Sequence, residues 1–447
     1  MDRLHDAACP GALYNSFERE RLDPPRCHPR TRIALLERLM DCITGHVDLE
    51  AFVMWLCGTA GAGKSAIGHT LAEICERHGY LLATFFFSQT SPGRDTVDCL
   101  IATIAYQIAL AVPDAQEFMV RAIDRKPMIF EQSLETQLTE LILFPLQDLC
   151  STGFSFLDSP FFIIIDGLDE CFGKDAQSLI VKTIISGIQD SGLPLRVLII
   201  SRPEIHLQRT FNTTAFQPHL SRISLSNDHA SDSDIRLFLH DSFRMIKDEH
   251  PLASYIPSDW PSSEIVDDLT RNSSGQFIYV STIIKYISDP SHLPVRRLEV
   301  VIGIRPHRNE KDRPFGEINS LYMHLLSSVN DIDETIQVLG VLLVLNPLLD
   351  QDHSIDIISR VDEFLLWSPG ESLACLNQLA SVITCSQEGD IHLKHPSLSE
   401  FLLDCSRSQQ FYLCQSTVLA NCARLCLQRL SQPKESSKPF HDTIPVC

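Results

Sequence analysis

Positive charge is scarce in this chain. Its 447 residues hold 37 Lys and Arg against 57 Asp and Glu, a formal charge of −20, which opposes phosphate-backbone attraction as a main source of affinity and argues against a nucleic-acid partner. A single phosphate group needs only a few well-aimed donors, so a mononucleotide ligand stays open. Also lacking is an apolar core behind the N-terminus "MDRLHDAACPG", so no secretory signal is read there. The 15 cysteines form no paired framework; they fit a reducing compartment and predict a cytoplasmic protein. No C-x2-C pair organises Cys27, His28, Cys42 and His46 into a zinc site, and Cys422 and Cys426 lack a partner pair, so burial is expected for these thiols. No apolar run reaches the roughly 20 residues that span a bilayer. The longest, Val338 to Leu349, contains Asn346 and Pro347 and reads as a core helix. Self-similarity at repeat-array periods is absent, which excludes a solenoid or propeller. There is no long Pro/Gly/Ser tract either, so the chain is expected to fold throughout.

What is present begins with an alternation. From Ala51 to about Leu225, short apolar runs at Phe52–Cys57, Leu81–Phe87, Phe161–Ile165, Arg196–Ile200 and Arg222–Leu225 are separated by amphipathic stretches such as Val97–Leu110 and Gln177–Ile188. That pattern predicts an α/β fold with a doubly wound parallel sheet. After residue 226 the strand signal fades, and Ser233–Ile246, Ile265–Leu269 and Phe277–Ile287 read as helices. Helices continue from Leu321 until "CSQEGDIHLKH" (385–395), where a Gly-Asp turn between two short runs predicts a hairpin. The Pro-containing stretches 289–294 and 306–314 read as connections. Length alone suggests about three domains of roughly 150 residues.

The first chemical motif is "GTAGAGKS", residues 58–65, which fits G-x-x-x-x-G-K-[ST] between a strand-like and a helix-like segment. Such a loop lets backbone N–H groups close around phosphates while the following helix turns its positive end toward them. Gly58, Thr59, Ala60, Gly61, Ala62, Gly63, Lys64, Ser65 and Ala66 are therefore the candidate nucleotide-binding residues. Lys64 is expected to reach the β- and γ-phosphates, and Ser65 to bind Mg²⁺. The metal also needs a carboxylate at the end of a neighbouring buried strand, and "FFIII" followed by Asp166 supplies one. Asp169 and Glu170 follow within the same "DGLDE". "LRVLIISRP" ends another buried strand and places Arg202 on the ligand-binding side of an open sheet, as a candidate γ-phosphate sensor.

With these stretches in view, the chain resembles the NACHT-type STAND P-loop NTPases, and most closely the nephrocystin-type NACHT proteins numerous in fungi and related to the NOD-like receptors. The matching segments are "CHPRTR" (27–32), "MWLCGTAGAGKSAIGHTLAE" (54–73), "LLATFFFS" (81–88), "IATIAYQIA" (101–109), "FFIIIDGLDEC" (161–171), "LIISRP" (198–203), "GQFIYVSTIIKYI" (275–287) and "HPSLSEFLLD" (395–404). The resemblance implies an N-terminal helical lead-in (1–50), a nucleotide-binding domain (51–225), a helical domain (226–315), a winged-helix-like α-rich domain (316–405) and a helical tail (406–447). It implies ATP/ADP and Mg²⁺ as cofactors, closure over ADP at rest, and opening with self-association in the ATP state. It also implies base contacts at Thr31 and Arg32 and a β-phosphate contact at His395, and it puts Phe277 where the family usually has a proline on the base.

Many ATP-hydrolysing relatives have a glutamate directly after the metal-binding aspartate; here that position is Gly167. A catalytic base is then expected from Asp169 or Glu170, with slow hydrolysis. Receptors built on this module usually append an effector before it and a repeat sensor after it, so the expectation is either a separate effector or sensor partner or a shortened paralogue or gene model. Two competing readings are a GTPase or P-loop kinase, and an inactive interaction protein. No N-K-x-D guanine-reading segment occurs in the sequence, which weighs against the GTPase.

Overall fold

The computed structural model describes residues 1–16, 24–48, 50–89, 91, 93–154, 161–225, 231–273, 275–303, 316–349, 357–379, 382–385, 391–393 and 396–431. Five strands, β1 (Val53–Cys57), β2 (Leu81–Phe86), β3 (Phe161–Asp166), β4 (Leu195–Ser201) and β5 (Leu220–Ser224), form one parallel sheet in the order β2-β3-β4-β1-β5. Trp55 lies opposite Ile199 on β4 and Arg222 on β5, and Ile164 opposite Leu198. The expected apolar runs all become strands.

Side chains alternate between two cores because the strand period is two residues. Val53, Trp55, Ile163, Ile165, Val197 and Ile199 enter one; Met54, Leu56, Phe162, Ile164, Leu198 and Ile200 enter the other. With both faces of the central strands covered, their sequences are near-continuous apolar runs; polar residues such as Thr84 in β2 and Ser221 and Arg222 in β5 fall in the two edge strands. Helices α1 (Asp2–Ala7), α2 (Ile33–Thr44), α3 (Lys64–Arg77), α4 (Leu100–Ala111), α5 (Gln116–Arg125), α6 (Leu134–Leu138), α7 (Phe144–Ser151), α8 (Lys174–Ser191) and α9 (Ile205–Phe211) belong to this half. α2 and α3 cover one face through Leu39, Ile43, Ile67 and Leu71. α4 and α8 cover the other through Ile104, Ile108, Ile180 and Ile184. A π-helical turn, Thr139–Leu143, joins α6 to α7 in a region where the sequence reading placed no element.

β2 is an edge strand, and the outer backbone groups of Thr84 at its middle are satisfied by a side chain, which opposes pairing with another chain there. The Gln107 amide accepts from the Thr84 N–H at 2.9 Å and donates to the Thr84 carbonyl at 2.8 Å. The Tyr14 N–H reaches the Thr84 hydroxyl at 3.0 Å, laying the lead-in segment along the same edge.

The second half contains α10 (Ser231–Glu249), α11 (Ser263–Ser273), α12 (Phe277–Ile287), α13 (Pro294–Gly303), α14 (Gly316–Ser327), α15 (Ile332–Leu349), α16 (Ile357–Leu365), α17 (Glu371–Asn377), α18 (Pro396–Leu402), α19 (Cys405–Ser408) and α20 (Gln415–Ser431). A hairpin of β6 (Ile383–Cys385) and β7 (Ile391–Leu393) stands between α17 and α18; the turn at 386–390 lies outside the described residues, as does the connection read at 306–314. Buried residues from Ile235 to Cys422 form one continuous apolar cluster. The long apolar run is the second part of α15, with Val338, Leu339, Val341 and Leu342 buried. Among the described residues no helix is long and apolar enough to cross a membrane.

Candidate functional site

The loop of residues 58–63 leaves the carboxyl end of β1 and turns into α3. Gly61 and Gly63 take the left-handed conformation, φ +77° and +87°, and Gly63 is the N-cap of α3. This turn aims the amino end of α3, with Lys64, Ser65 and Ala66 in its first turn, across the top of the sheet. Gly58, Ala60, Gly61 and Ala62 are buried while Thr59 is exposed. Lys64 folds back over the loop, its ammonium donating to the carbonyls of Gly58 at 3.0 Å and Thr59 at 2.9 Å. Burial lowers its pKa, against the opposing pull of the Asp169 carboxylate.

Asp166 ends β3 and is 3% exposed. The expectation that its strand neighbours the phosphate loop is corrected: β4 lies between β1 and β3. The approach is made instead by α3. A Cβ built on Gly68 would lie 3.8 Å from Asp166 Oδ1 and 2.8 Å from the Ile200 side chain, so only glycine lets the helix settle this close to the strand ends. Gly167 turns at φ +72°, and a Cβ there would meet the Phe87 carbonyl at 3.3 Å. A side chain at that position would be strained by the left-handed backbone and tight against that carbonyl.

Beyond the turn the two remaining carboxylates separate. Asp169 accepts from the Arg202 backbone N–H at 2.9 Å and pairs with Arg202 Nε at 3.0 Å. Asp169, one of the two candidate bases, is thus engaged in orienting an arginine. Glu170 accepts from the Gln89 N–H at 3.4 Å. Although it keeps some accessible area, protein surrounds it, and that burial, with Asp169 and Asp166 close by, pushes its pKa up to about 8. It is therefore largely protonated at neutral pH. Gln177, 5% exposed, holds the loop from below, donating to the carbonyls of Asp169 at 3.2 Å and Cys171 at 2.6 Å.

Arg202 reaches further than the sequence suggests. Its Nη2 pairs with Glu400 on α18, so the guanidinium joins the nucleotide-binding half to the C-terminal half. Burial alone would lower the Arg202 pKa, but the hydrogen bond and charge of Glu400, with Asp169, outweigh it and raise it.

Thr31 and Arg32 are 3% and 5% exposed. Arg30 and Arg32 flank Thr31 at φ 68° and 56°, a left-handed backbone that non-glycine residues adopt at a cost and keep only where their surroundings hold it. Those surroundings are one face of α10. Asp234 accepts from the Arg32 N–H at 3.0 Å, and Asp241 accepts from His28 and Arg30, each at 2.9 Å. The Arg32 guanidinium donates to the Ala62 carbonyl at 3.2 Å and lies 5.1 Å from the centre of the Phe277 ring. Phe277 thus lies against an arginine beside the phosphate loop. Ile278, next along α12, donates its N–H to the Gly61 carbonyl at 3.2 Å, closing the loop from above.

His395 lies outside the described residues. The sequence reading did not single out Glu400, Gln177, Asp234, Asp241 or Ile278. A carboxylate between Leu398 and Phe401, both buried, was the available signal for Glu400. A cavity of about 410 Å³ lined by Arg38, Asp48, Glu50, Leu220 and Arg222 sits at the amino ends of β1 and β5, away from the phosphate loop. Among the described residues no group of three or more His, Cys, Asp or Glu could hold a metal by itself.

Residues 45–202 match the family described as Nephrocystin 3, N-terminal. The comparison with curated proteins finds no match. Among solved structures, the chain is similar to a Signal Transduction ATPase with Numerous Domains (STAND) protein with a tetratricopeptide repeat sensor from Pyrococcus horikoshii, at 14% identity and TM-score 0.44, over 92% of this chain and 47% of that one. The chain thus spans about half the length of that protein. It is also similar to Cdc6p from Pyrobaculum aerophilum (13% identity, TM-score 0.36, 92% and 98% covered) and to the Drosophila ORC bound to DNA (13%, 0.35, 93% and 100%). At these values the likeness goes no further than general architecture, and no residue role is taken from it. The matched segment has a P-loop NTPase fold, on the strength of its own loop, strand order and carboxylates.

Proposed function

We propose that the chain is an ATP/ADP-binding regulatory switch of the STAND type with slow Mg²⁺-dependent hydrolysis. The observation that supports it is the convergence of distant parts of the chain on the phosphate loop: Arg32 from the lead-in, Ile278 from α12, and Arg202 carrying Glu400 of α18. A site closed by elements from both halves can report its occupant to the rest of the chain. The division at residues 225 and 315 into nucleotide-binding, helical and winged-helix-like domains belongs to the same proposal, as does self-association with ATP. A role in fungal self/non-self recognition rests on family analogy.

The donor set fits a hard dication. The Ser65 hydroxyl and the Asp166 carboxylate are oxygen ligands, and Asp166 packs against Gly68 on the helix that carries Ser65. Bound Mg²⁺ would neutralise charge on the β- and γ-phosphate oxygens. Lys64 leaves its loop carbonyls for those phosphates, and Arg202 meets the γ-phosphate. Glu170, once deprotonated, orients the attacking water, and its raised pKa makes that form scarce at neutral pH. Thr31 and Arg32 line the base.

The test is nucleotide identification on the purified chain beside Lys64→Ala. Retained adenine nucleotide in the wild type and none in the variant is the expected result; normal binding by the variant would refute the assignment. A second reading, a nucleotide-binding or scaffold module without significant hydrolysis, draws support from the engagement of Asp169 with Arg202. ATP turnover measured with and without Mg²⁺, beside Glu170→Gln, separates the two.

A further inference from the structure

Glu400 occupies an arginine that the proposed site needs elsewhere. Arg202 spends Nε on Asp169 and Nη2 on Glu400, so one nitrogen of its side-on edge is held by each half of the chain. Glu400 is aimed rather than loose. Leu398, Phe401 and Leu402 of the same helix are at most 2% exposed and anchor it in the C-terminal core. Ser397, at the start of α18, exchanges a 2.7 Å hydrogen bond with the Tyr322 hydroxyl. Arg407 stands 4.0 Å behind the other Glu400 oxygen and is itself fixed by the Asn319 side chain at 3.0 and 3.1 Å.

We propose that Glu400 is a specificity-determining residue that makes the closed chain favour a nucleoside diphosphate over a triphosphate. The inference rests on the reading of residues 58–66 as an ATP/ADP site. A diphosphate leaves the Arg202–Glu400 pair undisturbed. A triphosphate brings its terminal phosphoryl group, with at least one further negative charge, toward a corner that already holds Asp166, Asp169 and Glu400. Like charges crowded this way are costly, and the added phosphate competes with Glu400 for the charge of the Arg202 guanidinium. Binding of the triphosphate therefore displaces Glu400, and because Glu400 rides on an anchored helix, its displacement moves α18 with it. Asp169 keeps Arg202 in place during the exchange, through the backbone bond as well as the side chain.

The experiment titrates ATP and ADP into the nucleotide-stripped full chain for the wild type, Glu400→Gln and Glu400→Asp, with thermal unfolding of each without nucleotide. Glu400→Gln is expected to raise the affinity for ATP relative to ADP by roughly fivefold to tenfold, within the usual range for coupling between sites. Glu400→Asp, which keeps the charge at shorter reach, should fall between. Equal loss of affinity for both nucleotides with a lowered unfolding midpoint would mean a merely structural role and overturn the inference. An unchanged ratio with intact ADP binding would overturn the inference alone. Failure of the wild-type chain to bind either nucleotide would overturn the site reading and the inference with it.

Discussion

Gly61→Ala tests whether α12 closes the phosphate loop. A Cβ at Gly61 would lie 2.2 Å from Ile278 Cγ2, and the backbone sits at φ +77°. Holding alanine in that conformation costs about 1–2 kcal/mol. Pushing Ile278 away also breaks its N–H bond to the Gly61 carbonyl, a loss of about 1 kcal/mol. The strain and the lost hydrogen bond both act against closure, so the closed arrangement should weaken by roughly 2–3 kcal/mol. Because the chain has more than one core, a global unfolding energy is a poor readout. The direct assay is hydrogen exchange of the Ile278 amide, whose protection should fall roughly thirtyfold to a hundredfold. The double variant Gly61→Ala/Ile278→Ala removes the 2.2 Å contact but keeps the backbone cost and a tight 3.0 Å approach to the Cβ of residue 278, and should recover in part, to a loss of roughly tenfold. Protection within threefold of the wild type in Gly61→Ala would refute the closure of this loop by α12.

Two further outcomes follow from the site. Glu170 has a folded pKa of about 8, above the ordinary glutamate value of 4.5, so the folded chain binds more protons between those pH values. Stability should fall as pH rises through that window, Glu170→Gln should flatten the decline, and wild-type turnover should climb toward pH 8; a pH-stability profile identical in the two proteins would count against the buried, protonated carboxyl. Arg32→Ala removes a buried donor to Ala62 and the stack on Phe277, a loss of roughly 2–3 kcal/mol, and calorimetric titration should read it as weaker binding of ADP and ATP alike. A selective loss of one nucleotide would place Arg32 at the phosphates instead of the base.

How far the sequence reaches can be judged from particular residues. "FFIII" and "LRVLII" could be read as buried strands because a sheet covered on both faces favours near-continuous apolar runs, here broken only by Arg196 near the start of β4. "GTAGAGKS" could be read as a phosphate loop because its chemistry is local: two glycines turning left-handed and a helix start need only neighbours in the chain. The π turn at Thr139–Leu143 was not legible, since one extra residue per turn leaves little mark on an apolar pattern. Nor was the insertion of β4 between β1 and β3, because strand order depends on how crossover helices pack and not on the strands' own residues.

The same division runs through the three carboxylates of "DGLDE". Their presence beside an apolar strand, and hence a polar site at a sheet end, was set by the local sequence. Their different fates were decided by contacts made across long stretches of chain. Asp166 meets α3 only because Gly68 lacks a side chain, Asp169 is claimed by an arginine from another strand, and Glu170 takes up its proton because the fold buries it beside the other two. Glu400 enters this corner from the far half of the chain, and no periodicity or spacing in a sequence encodes an ion pair between residues 202 and 400. Such pairs depend on burial and distance, which exist only once the halves have packed together.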